Sequence, residues 1–375
     1  IGGTSGEYLR GMASDSDENV YAFGDSQSGP DQGLIVKYNS SGTLQWQRTA
    51  GSTNDTKFTR GVCDSAGNVY VTGYTRDFGQ GSNDALLVKF SSAGAILWQK
   101  TFGGTSSDIG ANVAVDSSDN VYLTGYQGSV GPVTNPFVAK WNSSGSLQWQ
   151  RVGTLSTASE PTHIEVSSAG DIYISGYIGS PVGAGSNDAF LIKLNSSADV
   201  QWARAFGSVV SEQSQGLAID ESNNVYMATQ TTTGSQGSND TVIVKYDSSG
   251  AVVWQRIFGA KNNDSVRDLT VQGDLLRSVG YQYSGTANQL ILASLPIDGS
   301  KMGAYRLNTD DMIYGEASLT SSAYTYTQQT SGLTEGTPTY GATASSLTSY
   351  TSTNTYAVTE GSPVGVWANP SDLTP

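Results

Sequence analysis

The sequence predicts an all-β fold built from repeated four-stranded antiparallel units, and three observations predict it. A short phrase centred on tryptophan recurs about every fifty residues, at Trp46, Trp98, Trp149, Trp202 and Trp254, and a repeat of that length marks an array of supersecondary units. Between the tryptophans lie short runs rich in Val, Ile, Tyr, Phe and Thr, which is strand chemistry. The runs are separated by Gly, Ser, Asn and Asp, the residues of tight turns, and no window keeps a helical period over three turns. Four antiparallel strands in roughly fifty residues make a propeller blade.

The second unit shows the elements in order: "RGVCD" (60–64), "NVYVTGY" (68–74), "DALLVKF" (84–90) and "AILWQK" (95–100). The joins "DSAGN" and "SSAG" place Asp and Ser where side chains bond the turn backbone, and Gly or Asn where φ turns positive. Tyr70, Tyr122, Tyr173 and Tyr226 share one slot on the second strand and are expected to fill equivalent gaps between blades. A lone sheet exposes both faces, whereas neighbours in a ring cover them. The register runs on to Tyr305 in "GAYRL" and to Trp367 in "VGVWA". It predicts seven blades: six over 1–306, and a divergent seventh over 307–375. The alternative is six blades followed by a Ser/Thr/Tyr-rich strand extension. In either case "VGVWANP" (364–370) is expected to lie beside the N-terminal blade and close the ring.

The phrases "DSAGNVYVTGYT" and "GSNDALLVKFSSAGAILWQKTFGG" resemble the bacterial seven-bladed β-propeller repeat abbreviated SBBP. The resemblance spans about 1–306, is specific over five units, and fades in the sixth, where "DLLRSVGYQYSG" keeps Gly280 and Tyr281 but loses the aromatic partner of Tyr70. It implies a propeller in an extracellular or virion setting and implies no catalytic residues. The tryptophan phrase is also similar to quinoprotein propellers, but nothing in the sequence marks a quinone site.

Composition excludes some functions. A net charge of −14 argues against a phosphate-binding surface, so no nucleic-acid partner is expected. No stretch of eighteen apolar residues suits membrane insertion. Cys63 is the single cysteine, so no internal disulfide or thiolate cluster can form. The chain opens on Ile1 rather than Met, so either upstream residues were removed or the sequence begins inside a longer product.

Candidate chemistry is sparse. His163, the single histidine, falls on a predicted first strand facing the channel and reads as a satisfied or solvated side chain. Cys63 occupies a slot held by Val115 and Ile219 elsewhere and reads as a small hydrophobe. Asp15, Asp64, Asp116 and Asp220 share a slot before a turn and are expected to cap it. Asp84, Asp188 and Asp240 share another and are weak calcium candidates; no other cofactor is expected. Lys37, Lys89, Lys140, Lys193 and Lys245 recur on the third strand, each expected to meet an Asp or a ring. The sequons at Asn39, Asn142 and Asn195 are turn signals first.

Joins on one face repeat almost unchanged, while those on the other vary. Varied loops on a rigid scaffold are where binding sits. The candidates are Arg76, Asp77, Phe78, Pro132, Thr134, Pro181 and Lys261. Together these features predict a non-enzymatic interaction protein of a virion, such as a bacteriophage tail, fibre or capsid-decorating component. Its partners would be neighbouring subunits, or a host glycan or surface protein. The alternative is a secreted or cell-surface bacterial propeller.

Overall fold

The computed structural model describes residues 6–344 except 28, 52, 80–81, 129–133, 155–156, 180–186, 209, 233–238, 260–262, 284–287, 301–302, 308–309, 318–319, 324–326, 331–333 and 337–342. The described residues contain strands and no helix. The first repeat forms β1 (Glu7–Ser14), β2 (Val20–Ser26), β3 (Gln32–Tyr38) and β4 (Leu44–Ala50). The second forms β5 (Thr56–Cys63), β6 (Val69–Thr75), β7 (Asp84–Phe90) and β8 (Ile96–Gly103). The third forms β9 (Asp108–Val115), β10 (Val121–Gly128), β11 (Thr134–Trp141) and β12 (Leu147–Thr154). The fourth forms β13 (Ser159–Val166), β14 (Ile172–Gly179), β15 (Asn187–Leu194) and β16 (Val200–Gly207). The fifth forms β17 (Gln213–Ile219), β18 (Val225–Thr231), β19 (Asp240–Tyr246) and β20 (Val252–Gly259). The sixth forms only β21 (Asp264–Gln272), β22 (Leu275–Tyr283) and β23 (Asn288–Pro296).

Strand pairing gives six sheets, one per repeat, so the expectation of seven blades is corrected to six. The residues assigned to a seventh blade instead supply extra strands to the earlier ones. They form β24 (Gly303–Leu307), β25 (Asp310–Glu316), β26 (Thr320–Ala323), β27 (Thr327–Thr330), β28 (Thr334–Gly336) and β29 (Thr343–Ala344). β25 pairs antiparallel with β20, β26 with β16, β27 with β12, β28 with β8 and β29 with β4. The tail thus visits the fourth strands of the five complete repeats in reverse order. β24, carrying Tyr305, pairs with β25 at the rim of the fifth repeat's sheet and does not serve as the sixth blade's fourth strand. The physical reason is edge pairing: a fourth strand leaves one row of N–H and C=O groups open, and any extended segment can fill it. Trp367 and the closing segment 364–370 lie outside the described residues.

Contacts divide the chain into two compact units. One holds residues up to Val166 together with the tail strands from Thr327, and the other holds Ser167–Tyr326. In the first unit the core lies between neighbouring sheets. Tyr21, Phe23, Phe58 and Phe90 fill one layer, and Tyr70, Phe102, Phe137 and Trp141 the next, all fully buried. In the second unit Tyr173, Leu191, Val244 and Tyr246 form one layer, and Tyr226, Trp254, Leu276 and Leu295 another. The four tyrosines of the recurring phrase are all buried.

β1, β5, β9, β17 and β21 each pair through a bulge, for instance between Phe58 and Arg60. It swings the strand close to the glycine of the recurring phrase. A Cβ at Gly73 would collide with the Lys57 carbonyl, and Gly24, Gly125 and Gly280 stand in the same relation to Tyr8, Ile109 and Ser265. The repeated Gly-Tyr dipeptide therefore has a steric cause.

Candidate binding face and interblade clamps

The most regular chemistry sits at the turns joining strands one to two and three to four. Asp15, Asp64, Asp116 and Asp220 cap their own turns as the sequence predicted. Asp116 Oδ1 accepts the amides of Ser118 and Asn120 at 2.9 Å each, and its carboxylate also takes the Asn120 side chain. Tyr122 donates to Asp116 Oδ2 at 2.9 Å, and Lys140 lies 3.6 Å from it. Lys37, Lys89 and Lys245 meet Asp15, Asp64 and Asp220 at 3.7, 3.0 and 3.7 Å. All five lysines also stand over the tyrosine of their own blade.

The fourth repeat reaches the same result by a swap. Ser167 takes the Asp slot and its hydroxyl accepts the Asp171 amide at 3.1 Å, while Asp171 receives Lys193 at 2.8 Å. The charge has moved four residues along the turn and the pair persists.

These groups clamp neighbouring blades within each unit. Lys89 Nζ and Trp98 Nε1 both donate to the Ser143 carbonyl of the following blade, at 3.3 and 3.2 Å. Lys37 and Trp46 converge in the same way on Ser92, Lys193 and Trp202 on Ser248, and Lys245 and Trp254 on Ile297. Under the tryptophan lies the next turn's glycine. Gly145 has φ +82°, and a Cβ on it would come within 3.0 Å of the Trp98 ring. Glycine meets both demands without strain, although the fourth repeat places Ala198 in the equivalent turn at φ +68°. The tryptophans themselves are half-buried, except Trp254 at 8% exposed. The other four act as lids over the clamp rather than as core.

Burial pushes the Asp116 carboxyl upward, but hydrogen bonds from Asn120, then Tyr122 and Ser118, outweigh it and hold the group below the usual carboxylate range. Asp15, Asp64 and Asp220 behave alike. A carboxyl whose folded value lies below its unfolded value adds stability above the unfolded value, and that stability is lost as pH falls through the folded one. Asp116→Asn should therefore cost stability at neutral pH and converge on the parent as pH falls below the ordinary carboxylate range. Melting curves across that range check it; a constant gap between the two proteins would refute it.

The other acidic slot differs from a turn cap. Asp84, Asp188 and Asp240 are buried at junctions between repeats, at 2, 0 and 0% exposed. His163 is buried, its Nδ1 lies 3.0 Å from Thr162 Oγ1, and burial then Arg60 push its pKa down to about 3, so it is neutral. Cys63 is half-buried, and burial followed by Asp15 pushes its thiol up to about 12. A thiol held protonated is a poor nucleophile.

Of the candidate loop residues, Arg76, Asp77 and Phe78 lie together on the connection 76–83. Arg76 is exposed, forms a 3.1 Å ion pair with Asp55 and donates from Nε to Asn83. Asp77 accepts the amides of Thr53 and Asn54 at 2.9 and 2.7 Å. Phe78 packs against the core of the first two repeats. Thr134 is half-buried and donates to the Ser159 carbonyl at 3.3 Å. These contacts tie neighbouring loops together, a role the sequence did not reveal. Pro132, Pro181 and Lys261 lie outside the described residues.

The SBBP beta-propeller repeat profile matches residues 98–126, which supports a β-propeller repeat protein. The chain is 24% identical over 296 residues to the regulatory protein FlaEY of Caulobacter vibrioides, covering 66% of this chain and 30% of that protein. It is 24% identical over 208 residues to an uncharacterized WD repeat-containing protein of Acanthamoeba polyphaga mimivirus, covering 44% of this chain and 15% of that one. The chain thus spans less than a third of the length of either relative. Among solved structures, a puromycin hydrolase is similar at TM-score 0.37 and 10% identity, covering 83% of this chain and 58% of that one. On that finding the expectation that this chain is not an enzyme is withdrawn. The likeness itself transfers no residue and no activity.

Proposed function

We propose that this chain is an interaction scaffold of an outer surface, most simply a virion component, whose blades hold varied loops toward a neighbouring subunit or a host glycan or protein. One observation carries the reading. In the first five repeats the turns 15–19, 64–68, 116–120, 167–171 and 220–224, between first and second strands, keep one length, and only the sixth, 273–274, is shorter. The connections 27–31, 76–83, 129–133, 180–186, 232–239 and 284–287, between second and third strands, do not. Conserved clamps fix the first set, so sequence variety is confined to the second. A propeller repeat, an acidic surface and relatives named regulatory or WD-repeat proteins accord with such a role.

Replacing 76–79 with Gly and Ser should weaken retention on host cells or on a glycan array by about tenfold or more, with the melting temperature as a control. Retention equal to the parent's would refute the loop assignment. Immunogold labelling of intact particles and cell envelopes tests the setting: label on virions is the expected result, and label confined to a bacterial envelope would replace it with the cell surface.

A further inference from the structure

Where one repeat passes to the next, a residue at or just before the start of the new first strand lies against the start of the preceding third strand. Its amide donates to a carbonyl at that start or one residue before it: Thr56 to Asp31, Asp108 to Asn83, Glu212 to Asn187 and Asp264 to Asn239, at 2.7–2.9 Å. The facing positions are therefore Gln32 with Thr56, Asp84 with Asp108, Asp188 with Glu212 and Asp240 with Asp264. The same spacing sets Asn135 with Ser159 in the remaining junction. At these five junctions, which leave out Glu7 at the start of the first repeat, acids stand at both positions or at neither. Independent drift gives no reason for that coupling, and two buried like charges repel. The pairing calls for a positive charge shared between them.

The junction of the second and third repeats shows the geometry. Asp84 and Asp108 are 2 and 0% exposed. Their carboxylates converge on Gly103, where a Cβ would collide with Asp84 and come within 2.9 Å of Asp108 Oδ2. Asp108 Oδ2 accepts the Gly104 amide at 2.7 Å, while the buried Asp108 Oδ1 has no hydrogen-bond partner. Burial, with Asp84 adding to it, outweighs the opposing Gly104 and Gly128 amides and pushes the Asp108 carboxyl up to about 6. Gly207 and Gly259 crowd Asp188 and Asp240 in the same way. The first junction, neutral at these two positions, has Lys57 beside its own nearby acids Asp25 and Asp31, at 3.8 and 2.7 Å. Among the described residues no three His, Cys, Asp or Glu side chains converge, so two carboxylates are the whole charged donor set and balance a divalent ion. Oxygen donors of irregular arrangement suit calcium better than magnesium, which demands a near-ideal octahedron.

We propose that Asp84 and Asp108 bind a calcium ion at the junction of the second and third blades, with main-chain and water oxygens completing its shell. The Asp240–Asp264 junction is a site of the same kind, whereas the Glu212 carboxylate opposite Asp188 is already held by Ser208 and Thr231. The test is calorimetric titration of calcium chloride into the chelator-treated chain, alongside the double variant Asp84→Gln/Asp108→Thr, which installs the first junction's neutral pair. The parent should bind calcium and gain about 3–5 °C in melting temperature at saturation. The variant should bind one ion fewer. If that variant does not fold, the nearly isosteric Asp108→Asn reads the same loss. No heat and no thermal shift at millimolar calcium, or equal stoichiometry in parent and variant, would overturn the site. Stability that falls as pH rises through 6, without a calcium response, would assign a shared proton instead and overturn it as well.

Discussion

A chain ending at residue 302 should lose about 5–10 °C in melting temperature and aggregate where the full chain stays dispersed. Residues 303–344 add an antiparallel strand to the outer edge of β20, β16, β12, β8 and β4. The pairings are short, three or four residues on most blades and two at β29. A net gain of about 0.5–1.5 kcal/mol per hydrogen bond is therefore largely offset by the entropy of ordering the tail. A remainder of about 2–4 kcal/mol corresponds to the stated shift. The effect on association is larger than the effect on stability. Without the tail, five fourth strands present open N–H and C=O rows, which is the template for edge-to-edge pairing. A chain ending at residue 326 keeps β24, β25 and β26 and uncovers only β12, β8 and β4. It should fall between the two. Light scattering and thermal melts of the three lengths decide the matter; a monomeric 1–302 chain with the parent's melting temperature would show that the tail strands add nothing.

The sequence offered a strand extension after six blades as its alternative, but it concealed where the strands of that tail pair. Five repeats were legible because each buried position has a fixed neighbour: Tyr70 under Lys89, Gly73 against Lys57, Gly94 beneath Trp46. An edge strand has no such neighbour. Its partner is main chain, which every residue carries, so "SLTSSAYTYTQQ" names no acceptor. Tyr305 kept the tryptophan register and still pairs elsewhere, because the hairpin partner β25 follows it at once. The candidate site was legible in halves. The capping Asp slot and its lysines could be read from single columns. The Ser167–Asp171 swap and the Asp84–Asp108 pairing could not, since each shows only when two columns are read together. The loop candidates Arg76 and Asp77 looked free for binding, yet their charges hold the neighbouring connection at Thr53, Asn54 and Asp55.

Trp254→Ala should cost about 3–5 kcal/mol in denaturant unfolding, the range for a buried aromatic cut to alanine. Trp254 is the most covered of the five repeat tryptophans and packs with Tyr226, ring centroids 5.9 Å apart, Arg256 and Gly299. Trp254→Phe keeps most of that packing and deletes the donor to the Ile297 carbonyl. Lys245 Nζ still reaches the same oxygen at 3.2 Å, so this change alone should cost only about 1 kcal/mol. Lys245→Met likewise leaves Trp254 Nε1 in place at 3.2 Å, and Asp220 retains Asn224 and Tyr226. Removing both donors leaves the carbonyl only the longer 3.3 Å contact from the Tyr226 hydroxyl, which already donates to Asp220 at 2.9 Å, so the double variant should be worse than the sum by about 0.5 kcal/mol or more. Additivity within about 0.3 kcal/mol would mean that the two side chains hold the next blade separately, and that the shared carbonyl is not the point where one repeat grips another.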